Sequence, residues 1–169
     1  VVPGARREDL DEDVIAEYYD KRAQRQRRPN PQTPDELLRE IGAIDDQHRM
    51  TKIGAMIASL PVDVALARML IEAQRLGVSR ELMILVSFLS IQDPRERPAD
   101  ARQQADAAHA EFADPKSDFT GVLRLWSAYA AAHEELTQSR LRDWCRARFL
   151  SFMRMREWRD VFAQLHTLC

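Results

Sequence analysis

Leu60-Pro61-Val62-Asp63-Val64-Ala65-Leu66-Ala67-Arg68-Met69-Leu70-Ile71-Glu72-Ala73-Gln74-Arg75-Leu76-Gly77 is the stretch that decides the fold. Pro61 stops the segment before it, because proline cannot donate a backbone hydrogen bond inside a helix. Asp63 offers a carboxylate to the free amides of a new helix start. Val64, Leu66, Ala67, Leu70, Ile71 and Leu76 then recur at three- and four-residue spacing, and Gly77 supplies the left-handed residue that ends a helix. One capped, striped and terminated helix is written here, and the same grammar repeats on both sides.

Upstream, Thr33-Pro34-Asp35-Glu36 predicts a capping box with Pro at the first helical position, a stripe of Leu37, Leu38 and Ile41, and a stop at Gly42. Ala43-Ile44, the polar turn 45–48 and Arg49-Met50-Thr51 predict a tiny hairpin, with Thr51 capping a helix to Leu60. Downstream, Ser79 is expected to cap a helix over 80–90, and 92–98 (QDPRERP) reads as a polar loop. An Ala-rich helix over about 99–112 follows, broken at Asp114-Pro115. Ser117 or Asp118 starts a helix carrying Phe119, Val122, Leu123, Leu125, Trp126 and Tyr129. Ser139 is expected to cap the last element. Its stripe (Leu141, Trp144, Cys145, Phe149, Phe152) rotates after Met155, predicting a kink or break at 154–157. The fold class is therefore mainly α: parts of a winged helix, namely helix, tiny hairpin and helix, then a multi-helix bundle. Residues 1–32 form a charged arm and linker, 33–62 the winged-helix-like segment and 63–169 the bundle.

The chain has 169 residues, 45% apolar and 31% charged, with a formal net charge of −2. That length can bury a sizeable core. Its composition excludes collagen-like, mucin-like and disulfide-scaffold classes. The longest apolar run, Leu82 to Leu89, falls short of the ~18 residues a membrane span needs. Val1-Val2-Pro3-Gly4 leads straight into charge and shows no secretory signal, and with two cysteines a reducing, cytoplasmic home is expected.

Charge is sorted along the sequence. Residues 8–20 carry seven acids and no base, whereas 21–28 (KRAQRQRR) carry five bases and no acid. Residues 140–159 hold seven arginines against Asp143 and Glu157. GC-rich codon usage accounts for a general arginine bias but not for that cluster. Arginine makes forked contacts with phosphate and stacks on bases.

Catalytic chemistry is not legible. No glycine-rich phosphate loop is present, and His48, His109, His133 and His166 lack metal-ligand spacing. Cys145 lies on an apolar stripe and reads as core, as do Trp126, Trp144 and Trp158. Asp93, Glu96 and Asp100 read as part of a structured loop rather than a carboxylate site.

Four stretches resemble a known family: 37–77, the run ELMILVSFLSIQDPRERP at 81–98, FADPKSDFTGVLRLW at 112–126, and LRDWCRARFLSFMRMREWRDVFAQL at 141–165. In order, they resemble the region after the motor core of DEAH-box ATP-dependent RNA helicases, in particular the bacterial HrpA-like branch. Leu60-Pro61-Val62-Asp63 resembles that family's junction between winged helix and helical bundle. Ser90 to Pro98 resembles the loop of its helicase-associated, ratchet-like domain, and Ser117-Asp118-Phe119 and Arg156-Glu157-Trp158 match further landmarks. The likeness covers about residues 33–168. Residues 1–32 depart from it: the end of the second motor domain is expected there, and 10–20 instead resembles a stretch found far downstream.

The resemblance implies an accessory module that guides single-stranded RNA against two RecA-like motor domains. It implies no cofactor in this chain, since ATP and Mg belong to the motor, and no nucleotide hydrolysis by the chain alone. The strand-contact candidates are Arg95, Arg97, Ser117, Arg140, Arg142, Arg146 and Arg154. The expected partners are single-stranded RNA and the motor domains, with no membrane, and the chain is expected to be monomeric. The alternative is a helical protein-interaction or regulatory module with no nucleic-acid affinity of its own, in which the acidic 8–20 segment pairs with a partner or masks the basic helix.

Overall fold

Helix α4 (Ser79–Leu89) holds the centre of the molecule, touching α3 (Val64–Leu76), α6 (Asp118–Glu135) and α8 (Phe152–Leu168). The computed structural model describes residues 33–168. Around α4 are α1 (Pro34–Glu40), α2 (Lys52–Ala58), α5 (Arg102–Ala110) and α7 (Gln138–Ala147). Among the described residues the fold is mainly α, with two isolated antiparallel bridges, Ile44–Met50 and Arg95–Leu150. The expectations for residues 1–32 lie outside the described residues.

The local grammar accounts for four helix starts and two helix stops among the described residues. Thr33 and Glu36 form the capping box, with Glu36 N–H donating to Thr33 Oγ1 at 3.2 Å and Thr33 N–H to the Glu36 carboxylate at 3.3 Å. Asp63 accepts from Ala65 N–H at 2.9 Å, and Thr51 accepts from Gly54 N–H at 3.0 Å. The 43–51 segment closes as a tight turn around the Ile44–Met50 bridge, with Asp45 and Arg49 paired at 2.8 Å. Helix α2 comes so close to this turn that a Cβ on Gly54 would collide with the Ala43 carbonyl.

Among the described residues three helices end in the same way. After α1 the N–H of Gly42 bonds to Arg39 O and that of Ala43 to Leu38 O. After α3, Gly77 bonds to Gln74 O and Val78 to Ala73 O. After α7, Phe149 bonds to Arg146 O and Leu150 to Cys145 O. This paired pattern is the Schellman motif, whose turning residue is left-handed and usually glycine. Gly42 and Gly77 have φ of 75° and 72°, and Phe149, with a side chain, has φ of 53°.

That third motif corrects the reading of the last element. The break falls at 148–151 rather than 154–157, and Phe149 leaves the helical stripe. Other expectations shift as well. Ser79 lies inside α4, where Val78 holds the cap position without a side-chain bond, and Ser139 lies inside α7, where Thr137 holds it. Helix α2 stops at Ala58, and α5 covers only Arg102–Ala110. Phe119 is exposed, so it sits outside the buried stripe of α6.

The largest core cluster joins α4, α6, α7 and α8 through Ile84, Val122, Leu125, Trp126, Tyr129, Leu141, Cys145, Met155 and Trp158. Rings of Trp126 and Trp158 lie 5.0 Å apart, and Trp158 meets Phe88 edge-on at 5.0 Å. A second cluster (Leu70, Met83, Val86, Leu165) seats the end of α8 on α3 and α4. A third (Ala43, Ile57, Ala67) joins α3 to the segment before it, reinforced by Arg68 Nε donating to Ile41 O at 3.2 Å. Burial of apolar surface at about 25 cal/mol per Å² is what holds such helices together.

Candidate nucleic-acid interface

The 92–98 loop is not a free polar loop. Pro94 is fully buried, and Ser151 N–H donates to its carbonyl at 2.8 Å. Glu96 N–H donates to Phe149 O at 2.8 Å, so 94–96 and 149–151 run antiparallel as a very short ribbon. His109 Nε2 lies 3.2 Å from the same Phe149 oxygen, and Arg154 Nη1 donates to Asp93 O at 3.1 Å. Arg148 stacks over Trp144 at 4.4 Å and faces Glu111 at 3.5 Å. The corner between α7 and α8 is thus fixed from three sides.

A groove of about 450 Å³ opens at this corner, lined by Glu96, Pro98, Arg142, Arg146 and residues 149–153. Arg142 and Arg146 share one face of α7, one helical turn apart. Arg142 holds its guanidinium 5.1 Å over the Phe152 ring, and Arg156 lies 5.9 Å from that ring. Arg146 is exposed, with Asp143 at 3.4 Å as its carboxylate neighbour. Met153 is 67% exposed on the rim. Exposed guanidinium groups beside aromatic rings suit a strand of phosphates and unpaired bases.

The other sequence-selected residues are placed differently. Arg95 is forked onto Asp93, with Nε–Oδ1 at 3.0 Å and Nη2–Oδ2 at 2.6 Å, and lies 5.7 Å from the Phe88 ring. Burial pushes the Asp93 carboxyl up, but hydrogen bonds and charge from Arg95 outweigh it and hold it below its ordinary value. The same bonds raise the Arg95 pKa. Arg95 faces a separate pocket of about 200 Å³ with His109 and Asp118. Arg97 is paired with Asp106 at 2.6 Å. Arg154 is engaged with the Asp93 carbonyl. Ser117 caps α6, accepting from Thr120 N–H at 3.4 Å. Arg140 is exposed on α7, well around the helix from Arg142 and Arg146 and outside the groove lining.

The groove therefore brings together Arg142 and Arg146 and adds Phe149, Phe152 and Met153, which sequence reasoning assigned to the core or passed over. The only sequence signal for them is their closeness to the arginine cluster. Among the described residues no group of His, Cys, Asp and Glu has the makings of a metal site, and no helix is long and apolar enough to cross a membrane. Cys145 is buried, and burial pushes its thiol up to about 11.

Comparison with known proteins supplies the context. Residues 63–151 match the family model described as helicase associated domain (HA2), ratchet-like. The chain is similar to the ATP-dependent RNA helicase HrpA of Escherichia coli, 45% identical over 134 residues, covering 76% of this chain and 10% of that protein. It is 41% identical over 136 residues to the HrpA homolog of Haemophilus influenzae, with the same coverages. It is 30% identical over 129 residues to the pre-mRNA-splicing factor ATP-dependent RNA helicase prp22 of Schizosaccharomyces pombe, again over 76% of this chain and 10% of the relative. The chain spans about a tenth of the length of these relatives.

Proposed function

We propose, because this chain belongs to the helicase-associated (HA2), ratchet-like family, that it is the RNA-contacting accessory part of an ATP-dependent DEAH-box RNA helicase. The observation that carries the reading is the α7–α8 groove, where Arg142 and Arg146 stand beside Phe149 and Phe152. In this reading a single strand lies along the groove. Arg142 and Arg146 take its phosphates, and the ribbon joining 94–96 to 149–151 keeps the groove walls at fixed spacing. Arg140 is an outlying phosphate contact. Arg95, Arg97, Arg154 and Ser117 act on the strand indirectly, by fixing the loop and the start of α6.

ATP hydrolysis belongs to the partner motor domains, which resemble RecA, and the chain supplies no nucleotide chemistry. We read 33–62 as a partial winged helix and 63–169 as the ratchet-like bundle. The exposed Met50, Met56 and Met69 belong to the part that would meet the motor. The chain is read as a cytoplasmic monomer outside that assembly.

The test is a fluorescence-anisotropy titration of the 169-residue chain with single-stranded RNA and with a duplex of equal length, at several salt concentrations. Single-strand preference is expected, with log affinity falling against log salt. Arg142→Glu with Arg146→Glu should abolish most of it while the circular dichroism stays that of the parent. Unchanged affinity in the double variant overturns the assignment of the groove. Absence of binding at low salt favours the protein-interaction reading.

A further inference from the structure

The aromatic ring at the turning point of the corner stands outside the three core clusters. Phe149 takes a left-handed backbone, φ 53°, at a position where the two other Schellman motifs among the described residues carry glycine. A bulky residue there is strained, and such strain persists where the surroundings over-determine it, often at binding sites. The surroundings here do so: the Phe149 N–H is bonded to Arg146 O, and its carbonyl faces Glu96 N–H and His109 Nε2.

Phe149 is half-buried but does not pack against any of the three core clusters, whereas its neighbours Trp144 and Phe152 do. Among the described residues no ring and no guanidinium stacks on it, although Phe152 has two guanidinium groups and Trp144 has one. It lines the groove with Arg142 and Arg146. A groove-lining ring on a backbone fixed by hydrogen bonds, beside phosphate-competent cations, matches the chemistry of an unpaired base, since every base offers a π-face of its own.

We propose that Phe149 is a base-stacking residue, whose ring receives the face of one unpaired nucleobase while Arg142 and Arg146 hold the flanking phosphates. This rests on the reading of the groove as a single-strand site. The contact is sequence-tolerant, because stacking does not read the hydrogen-bonding edge of the base.

The experiment measures the full chain against a single-stranded oligoribonucleotide and the same strand carrying abasic positions. Phe149→Leu keeps the bulk and the left-handed requirement but removes the ring. It should weaken binding to the ordinary strand by about 5- to 150-fold, the range that stacking residues show on truncation. Its loss on the abasic strand should be far smaller. Phe149→Tyr should restore the parent affinity. Arg142→Ala should weaken binding to both strands alike, since it meets phosphate rather than base. Parent-like affinity for Phe149→Leu, with Arg142→Ala still weakened, overturns the stacking role and leaves the groove in place. An equal loss on ordinary and abasic strands overturns it as well. No single-strand binding by the parent chain overturns both readings. Melting temperatures of all variants separate folding losses from binding losses, and Phe149→Gly, which relieves the backbone, gives a second ring-free protein should Phe149→Leu fold poorly.

Discussion

Trp158 Nε1 donates to Ser87 Oγ at 3.0 Å across the buried interface of α8 and α4, and also faces Ile84 O at 3.1 Å. Both side chains are fully buried, so an orphaned indole N–H there has no water to turn to. Ser87 Oγ in turn lies 2.9 Å from the Ile84 carbonyl, which makes the three groups one closed local network. Ser87→Ala should lower stability by about 1 kcal/mol, and Trp158→Leu by about 3 to 5 kcal/mol through the lost packing of the ring. Urea unfolding followed by circular dichroism checks both.

Electrostatic readout separates the arginines. Arg142→Ala or Arg146→Ala should each reduce the salt slope of single-strand binding by about 0.7, one phosphate contact for a single strand. Arg95→Ala and Arg97→Ala should leave the slope unchanged, because they lie outside the groove and are held by Asp93 and Asp106 at 2.6 Å, closer than the 3.4 Å of the exposed Arg146–Asp143 pair. Equal slope changes for all four would contradict the placement.

Helix ends give a paired stability prediction. Gly77→Ala should cost about 1 kcal/mol, from the left-handed φ of 72° alone, since nothing lies within 4 Å of the added Cβ. Phe149→Gly at the equivalent turn should also destabilise, by about 1 kcal/mol, because the lost burial of the half-buried ring and glycine's greater unfolded-state freedom outweigh relief of the left-handed strain. Thermal denaturation of the two variants beside the parent decides it.

Alkali should destabilise the fold through Cys145. Burial raises its folded pKa to about 11 from an ordinary 9.0, so the neutral thiol favours the folded state below pH 9. That contribution is lost as pH rises from about 9 to 11, where the unfolded chain ionises first. Cys145→Ala should flatten the stability curve in that window. In a Cys169→Ser background, the native protein at pH 8 should react with a thiol reagent only as fast as it unfolds.

What the sequence discloses is what is decided within a few residues. Thr33, Asp63, Gly42 and Gly77 announce their helix ends because caps and left-handed turns are local and residue-specific. Ser79 and Ser139 misled for a local reason too: each lies just inside its helix, behind a cap residue that makes no side-chain bond. The rotation of the stripe announces a break in the last element, but its place at Phe149 is hidden because the turning residue is not glycine. Of the seven strand-contact candidates, Arg142 and Arg146 line the groove. The acids that occupy Arg95 and Arg97 were visible as letters, but their geometry was not. The pairing of 94–96 with 149–151 is non-local and has no periodicity to betray it.

That pairing also sets an order of events during synthesis. Glu96 and Phe149 are separated by roughly fifty residues, and the groove wall they join needs Ser151 and Arg154 as well. A growing chain that has exposed α3 to α6 outside the ribosome already has helices able to fold, yet the groove at the α7–α8 corner is still missing. The groove is complete only when the start of α8 emerges, so its two walls meet late, after every helix from α3 to α7 has been made.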